Sequence, residues 1–172
     1  MGFRPSSTKT RNRNTIFEGQ KHSFMTGLFY LHKPGICYNF VMKNIDQNCI
    51  FCKIVTKEIP ANIVYEDNNF LAFLDIRPLS PGHTLVIPKD HYHWVWDLST
   101  DATAKPNLMD YFNVVGKIAN AQRKAFNQEM ILSKIIGEEV PHAHIWIYPS
   151  DQTPGDKKDF TGNAQKIRDA LD

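Results

Sequence analysis

The chain has 172 residues, 42% of them hydrophobic and 22% charged, with 10 prolines, 9 glycines and 3 cysteines. This composition suits one globular domain with an appendage and excludes collagen-like, disulfide-stapled and wholly disordered chains; no run approaches the ~20 consecutive apolar residues of a membrane-spanning helix. The formal charge of +2 is unevenly spread: Arg4, Lys9, Arg11, Arg13, Lys21 and Lys33 face only Glu18 in residues 1–41, so the remainder is net acidic and no polynucleotide groove is expected.

Residues 1–41 carry no sustained helical or alternating pattern, only scattered Ser, Thr, Asn and Gly and an apolar patch at 24–31. They read as a flexible basic extension, and three origins stay open: a native tail, a cleaved organellar presequence, or sequence upstream of a natural start at Met42. The texture changes from Cys49. Residues 49–57 read as a short helix ended by Ile59-Pro60. Residues 62–66 and 70–76 are strand-like and flank Asp67-Asn68-Asn69, a hairpin signal. Arg77-Pro78-Leu79-Ser80-Pro81-Gly82 is a loop, and 83–88 is a third strand. Leu108, Phe112, Val115, Ala119, Gln122 and Phe126 step at helical spacing and predict the buried stripe of one long helix. Residues 130–136 and 143–148 read as two more strands, and 159–171 as a final helix. The expected fold is α+β: a five-stranded antiparallel meander sheet with one long helix packed on it and a C-terminal helix.

Chemistry concentrates in Val140-Pro141-His142-Ala143-His144-Ile145-Trp146-Ile147-Tyr148-Pro149. On a strand alternate side chains share a face, so His142, His144, Trp146 and Tyr148 point one way, and Ala143, Ile145 and Ile147 point toward the long helix. Two imidazoles then stand roughly 7 Å apart on one surface. His83, His91 and His93 form a second histidine window. Cys49-x-x-Cys52 is a two-thiolate half site, open to metal or redox use and suited to a reducing, cytoplasmic compartment.

Together, Cys49-Ile-Phe-Cys52-Lys-Ile-Val, Phe70-Leu-Ala-Phe-Leu-Asp75-Ile, Pro81-Gly82-His83-Thr-Leu-Val-Ile-Pro88-Lys89-Asp-His91 and Val140-Pro-His142-Ala-His144 resemble the histidine-triad (HIT) family. The likeness covers about residues 49–150 and is nearest to the bacterial zinc-containing branch, which makes 42–172 a HIT-like domain. The resemblance implies a homodimer that binds purine nucleotide conjugates, either nucleoside phosphoramidates or dinucleoside polyphosphates. It implies hydrolysis or transfer at the α-phosphate through a nucleotidyl-histidine on His144. His83 would contact phosphate, Asp75 would accept from the ribose hydroxyls, and Ile76 and Phe51 would line the base pocket. Cys49, Cys52, His91 and His142 would hold a structural zinc, a closed Cys₂His₂ set with no open position for water. His93 and Cys37 match no family position.

The sequence departs from the family in two places. Trp146 stands where a third histidine is usual, although galactose-1-phosphate uridylyltransferase-like relatives carry glutamine there and remain active. Trp offers one N–H donor and no acceptor, so Trp146 joins His144 and His83 as a candidate catalytic residue whose efficiency is in question. Gly137-Glu138-Glu139-Val140 replaces a Gly-Gln-Ser-Val run, and carboxylates there suit an amine leaving group better than a polyphosphate. The rival to an enzyme is a nucleotide-binding module with weak or no turnover. Action on nucleic-acid ends, as in aprataxin-like relatives, is disfavoured by the acidic core.

Overall fold

The structure is a computed structural model that describes residues 44–171. The expectations placed on residues 1–41, and those on Met42 and Cys37, lie outside the described residues.

In chain order the elements are α1 (Ile50–Val55), β1 (Ile63–Glu66), β2 (Phe70–Leu74), β3 (Thr84–Pro88), a short 3₁₀ turn (Val95–Asp97), α2 (Leu108–Phe126), β4 (Ile131–Ile136), β5 (His144–Pro149) and α3 (Phe160–Asp169). The β1–β2 hairpin forms where expected. The Asp67 carboxylate accepts from the backbone N–H groups of Asn69 and Phe70, both at 2.8 Å, and so closes the turn. Every residue of β2 and of β3 is buried, as befits strands covered on both faces.

The five strands pair antiparallel in the order β1-β2-β3-β5-β4. The strands succeed one another as a meander does through β3, but β5 rather than β4 then lies beside β3. Burial explains the exchange. Ile145 and Ile147 of β5 have no exposed surface, and His144 on the opposite side is also buried, so β5 needs cover on both faces. Ser133 and Lys134 of β4 are exposed, and Leu132 keeps 38% of its surface in solvent, which suits an edge strand.

Helix α2 starts at Asn107, whose side chain accepts from the Asp110 N–H at 2.8 Å, and stops at Asn127 in the left-handed conformation (φ 50°). Val115, Gln122 and Phe126 are buried as predicted, but Phe112 is 41% exposed, and Leu108 and Ala119 are only half-buried. The stripe is rotated toward Tyr111, Val114, Ile118 and Ala121. Two polar anchors set this rotation. The Tyr111 hydroxyl donates to Val86 O at 2.6 Å, and the Gln122 amide donates to Gly82 O at 2.8 Å and Ile147 O at 3.0 Å. Gly82 has φ +78°, and a Cβ there would lie 2.3 Å from the Phe126 ring, so this turn requires glycine on both counts.

The sheet separates two apolar layers. Ala143, Ile145 and Ile147 pack under α2 and α3, as the alternation predicts. On the opposite face Phe51, Cys52 and Ile54 of α1, with Cys49 just before it, pack on Leu71, Phe73, Leu85 and Ile87. This second face carries the histidines.

Candidate functional site

His144 opens β5 and is 3% exposed. Its Nδ1 lies 2.7 Å from the carbonyl oxygen of His142. A carbonyl only accepts, so Nδ1 carries the proton and Nε2 keeps its lone pair. Burial holds this imidazole below the usual histidine range, against the opposing influence of the His142 carbonyl, Asp75 and Glu139. The ring is therefore neutral near pH 7, as a nucleophile must be.

A cleft of about 230 Å³ opens on His144. Its lining includes Phe51, Asp75, Ile76, Glu139 and Trp146, so five of the residues picked from the sequence meet at one place: His144, Phe51, Asp75, Ile76 and Trp146. Phe51 stands edge-on to the His144 ring at 5.4 Å, between α1 and β5. Ile76 is 80% exposed at the rim. The Asp75 carboxylate accepts from the Arg77 N–H at 2.8 Å, which orients it at the end of β2.

His83 lies beside the cleft lining rather than in it. It is 1% exposed and lies edge-on to Trp146 at 4.9 Å and to Tyr148 at 5.0 Å. Two large rings occupy the space above it. Nδ1 accepts from the Leu79 N–H at 3.3 Å, which puts the proton on Nε2, a buried atom with no partner among the described residues. Burial lowers its pKa to about 4, although Asp75, 3.9 Å away, pulls in the other direction.

Two charged residues at the site carried no signal in the sequence reading. Arg77 reaches Glu139 at 2.7 Å, an exposed ion pair joining the loop after β2 to the loop before β5. Glu139 is thus engaged by a guanidinium, and Glu138 is exposed and absent from the cleft lining. Lys134 stands opposite Trp146 in the β4–β5 register, its Nζ 5.7 Å from the indole centroid. Neither contact could be read without the strand order.

The second cluster is Cys49, Cys52, His91 and His142, whose ligand atoms all lie within 4.8 Å of one another. His142 Nδ1 is 3.4 Å from Cys49 Sγ and 3.6 Å from Cys52 Sγ, and His91 Nδ1 is 3.3 Å from Cys52 Sγ. Bonds of ~2.0 Å to nitrogen and ~2.3 Å to sulfur in a tetrahedron put neighbouring donors roughly 3.5 Å apart, so these residues fit a zinc-sized cation. His142 Nε2 donates to Pro88 O at 2.9 Å, which turns the Nδ1 lone pair toward the thiols. Burial pushes the Cys52 thiol up to about 12, so a thiolate there needs a cation beside it. His93 is not part of the cluster; it stacks on Trp94 at 4.7 Å. Among the described residues no helix is long and apolar enough to cross a membrane.

The HIT domain pattern matches residues 56–153. An uncharacterized HIT-like protein of Methanocaldococcus jannaschii is 40% identical over 116 residues, which is 65% of this chain and 86% of that protein. The adenosine 5′-monophosphoramidase of Saccharomyces cerevisiae is 35% identical over 106 residues, 61% of this chain and 64% of that enzyme. The crystal structure of a zinc-bound histidine triad family protein from Mycobacterium smegmatis superposes with a TM-score of 0.57 at 31% identity, covering 72% of this chain and 93% of that one.

Proposed function

Because the chain belongs to the HIT domain family, we propose that it hydrolyses, or transfers from, a purine nucleotide conjugate at the α-phosphate, with His144 as nucleophile. The observation that carries this reading is the 2.7 Å bond from His144 Nδ1–H to the His142 carbonyl, in the wall of the cleft. The free Nε2 lone pair forms a bond to phosphorus while the P–N or P–O bond to the leaving group breaks, its electron pair departing with that group. Water then attacks the nucleotidyl-histidine, the N–P pair returns to Nε2, and the water's proton passes to bulk solvent. Asp75 accepts from the ribose hydroxyls, and Phe51 and Ile76 hold the base. His83, neutral and buried beside Trp146, supports the indole edge-on.

The Cys49, Cys52, His91 and His142 set would hold a structural zinc, which supplies a rigid tie between the turn before α1 and the start of β5. A zinc-bound relative supports this choice of metal. Two free thiols held for a metal suit a reducing, cytoplasmic setting. The protein would pair with a second copy through α2 and the exposed edge strand β4, where Met109, Phe112, Met130 and Leu132 present 64%, 41%, 57% and 38% of their surface. Residues 42–172 form the HIT-like domain, with 1–41 as its basic extension.

The test is turnover of adenosine 5′-phosphoramidate and of diadenosine tetraphosphate by the full chain and its His144→Ala variant. Release of adenosine monophosphate should fall about a thousandfold or more in the variant, while circular dichroism stays unchanged. Equal release by both proteins refutes the assignment of the nucleophile. Nucleotide binding without release refutes the enzyme and leaves a binding module, the reading that Trp146 favours.

A further inference from the structure

We propose that Lys134 and Trp146 form the leaving-group side of the His144 centre and select a conjugate whose leaving group is a phosphate or polyphosphate anion over one whose leaving group is an amine. This rests on the reading of His144 given above.

The register between β4 and β5 pairs Ile136 with His144 and Lys134 with Trp146. Directly opposed residues of an antiparallel pair share a face, as do residues two apart on one strand. Lys134, Trp146 and His144 therefore stand on one surface, with Trp146 roughly 7 Å along the strand from the nucleophile. The ammonium lies within the reach of attraction to an indole face, 5.7 Å from its centroid. Its stem is exposed and flexible, and it joins no ion pair among the described residues. Within the cleft lining Glu139 pairs with Arg77 and Asp75 accepts from the Arg77 amide, so the carboxylates lie on the side of the loops after β2 and before β5. Lys134, outside that lining, is the cation on the β4 side of the nucleophile.

The chemistry of departure points the same way. When the Nε2–P bond forms and a P–O bond breaks, the electron pair stays on the bridging oxygen of a polyphosphate, a stable anion that needs no proton and gains from a nearby ammonium. When a P–N bond breaks, the nitrogen must collect a proton to leave as an amine. Trp146 is a donor through its indole N–H but exchanges no proton near neutral pH, and His83 is sealed beneath it. The face carries electrostatic help for an anion and no acid for an amine.

The experiment compares kcat/KM for diadenosine tetraphosphate with kcat/KM for adenosine 5′-phosphoramidate in the full chain and in Lys134→Met and Lys134→Arg. The ratio of the two should fall about tenfold in Lys134→Met, the effect of losing one charge a few ångströms away in a wet site. Lys134→Arg should restore it, and added salt should lower the wild-type ratio toward that of Lys134→Met. A side chain that served only packing would shift both substrates together and leave the ratio alone. His144-dependent release with an unchanged ratio in Lys134→Met overturns the subsite and leaves the nucleophile standing. No His144-dependent release from either substrate overturns both.

Discussion

Acidification below the histidine range should destabilise the fold through His83, and the size of the effect follows from its surroundings. The side chain is 1% exposed, its Nδ1 accepts from Leu79 N–H at 3.3 Å, and burial brings its pKa down from 6.5 to about 4. Between these values the unfolded chain takes up a proton that the folded chain refuses. The contribution to stability is therefore fully present above the unfolded pKa of 6.5 and lost as pH falls toward about 4. One such proton gives a slope of up to about 1.4 kcal/mol per pH unit, or about 3 kcal/mol across the window. Asp75 works against part of this from 3.9 Å. Urea unfolding of the full chain from pH 7.5 to 4.5, beside His83→Gln, isolates the term, because every other titrating group is common to both proteins. The amide oxygen of glutamine can still accept from Leu79, so the variant should be less stable at pH 7.5 and should lose less on acidification. Parallel pH profiles for the two proteins would refute the reasoning.

Two further expectations concern the metal site and the helix anchor. Elemental analysis should find one zinc per chain, lost in Cys52→Ala and His91→Ala and kept in His93→Ala; a thousandfold excess of free zinc over its dissociation constant would stabilise the fold by about 4 kcal/mol, so chelation should lower the unfolding midpoint. Equal zinc in Cys52→Ala would refute the ligand set. Gln122→Leu removes donors to Gly82 O, Thr84 Oγ1 and Ile147 O at 2.8, 3.1 and 3.0 Å from a side chain with no exposed surface. Gly82 O keeps the Thr84 hydroxyl, so the expected loss is about 2–3 kcal/mol in denaturant unfolding, and a loss below about 0.5 would show that the amide is not an anchor.

Much of the site was legible in consecutive residues, because a strand's alternation has a period of two and needs no knowledge of its neighbours. That alone puts His144 and Trp146 on one face of β5 and Ile145 and Ile147 under the helix, and the structure places them so, while His142 and Ala143 lie just before the strand. The Cys49-x-x-Cys52 spacing likewise held two thiols within one turn of α1, and the hairpin at Asp67 followed from its own side chain. Relations across strands were not legible. A stepping pattern of helical period identified α2 but not which flank of it is buried; Tyr111 and Gln122 chose that by reaching backbone groups of β3, β5 and the turn before β3. Strand order was decided by which segment needed cover on both sides, so β5 took the centre and β4 the edge. Only that order sets Lys134 opposite Trp146, and only the packed face puts His83 beneath the indole instead of in the cleft. Periodicity is a property of neighbours along the chain, whereas burial and charge pairing belong to surfaces that do not exist until distant segments meet.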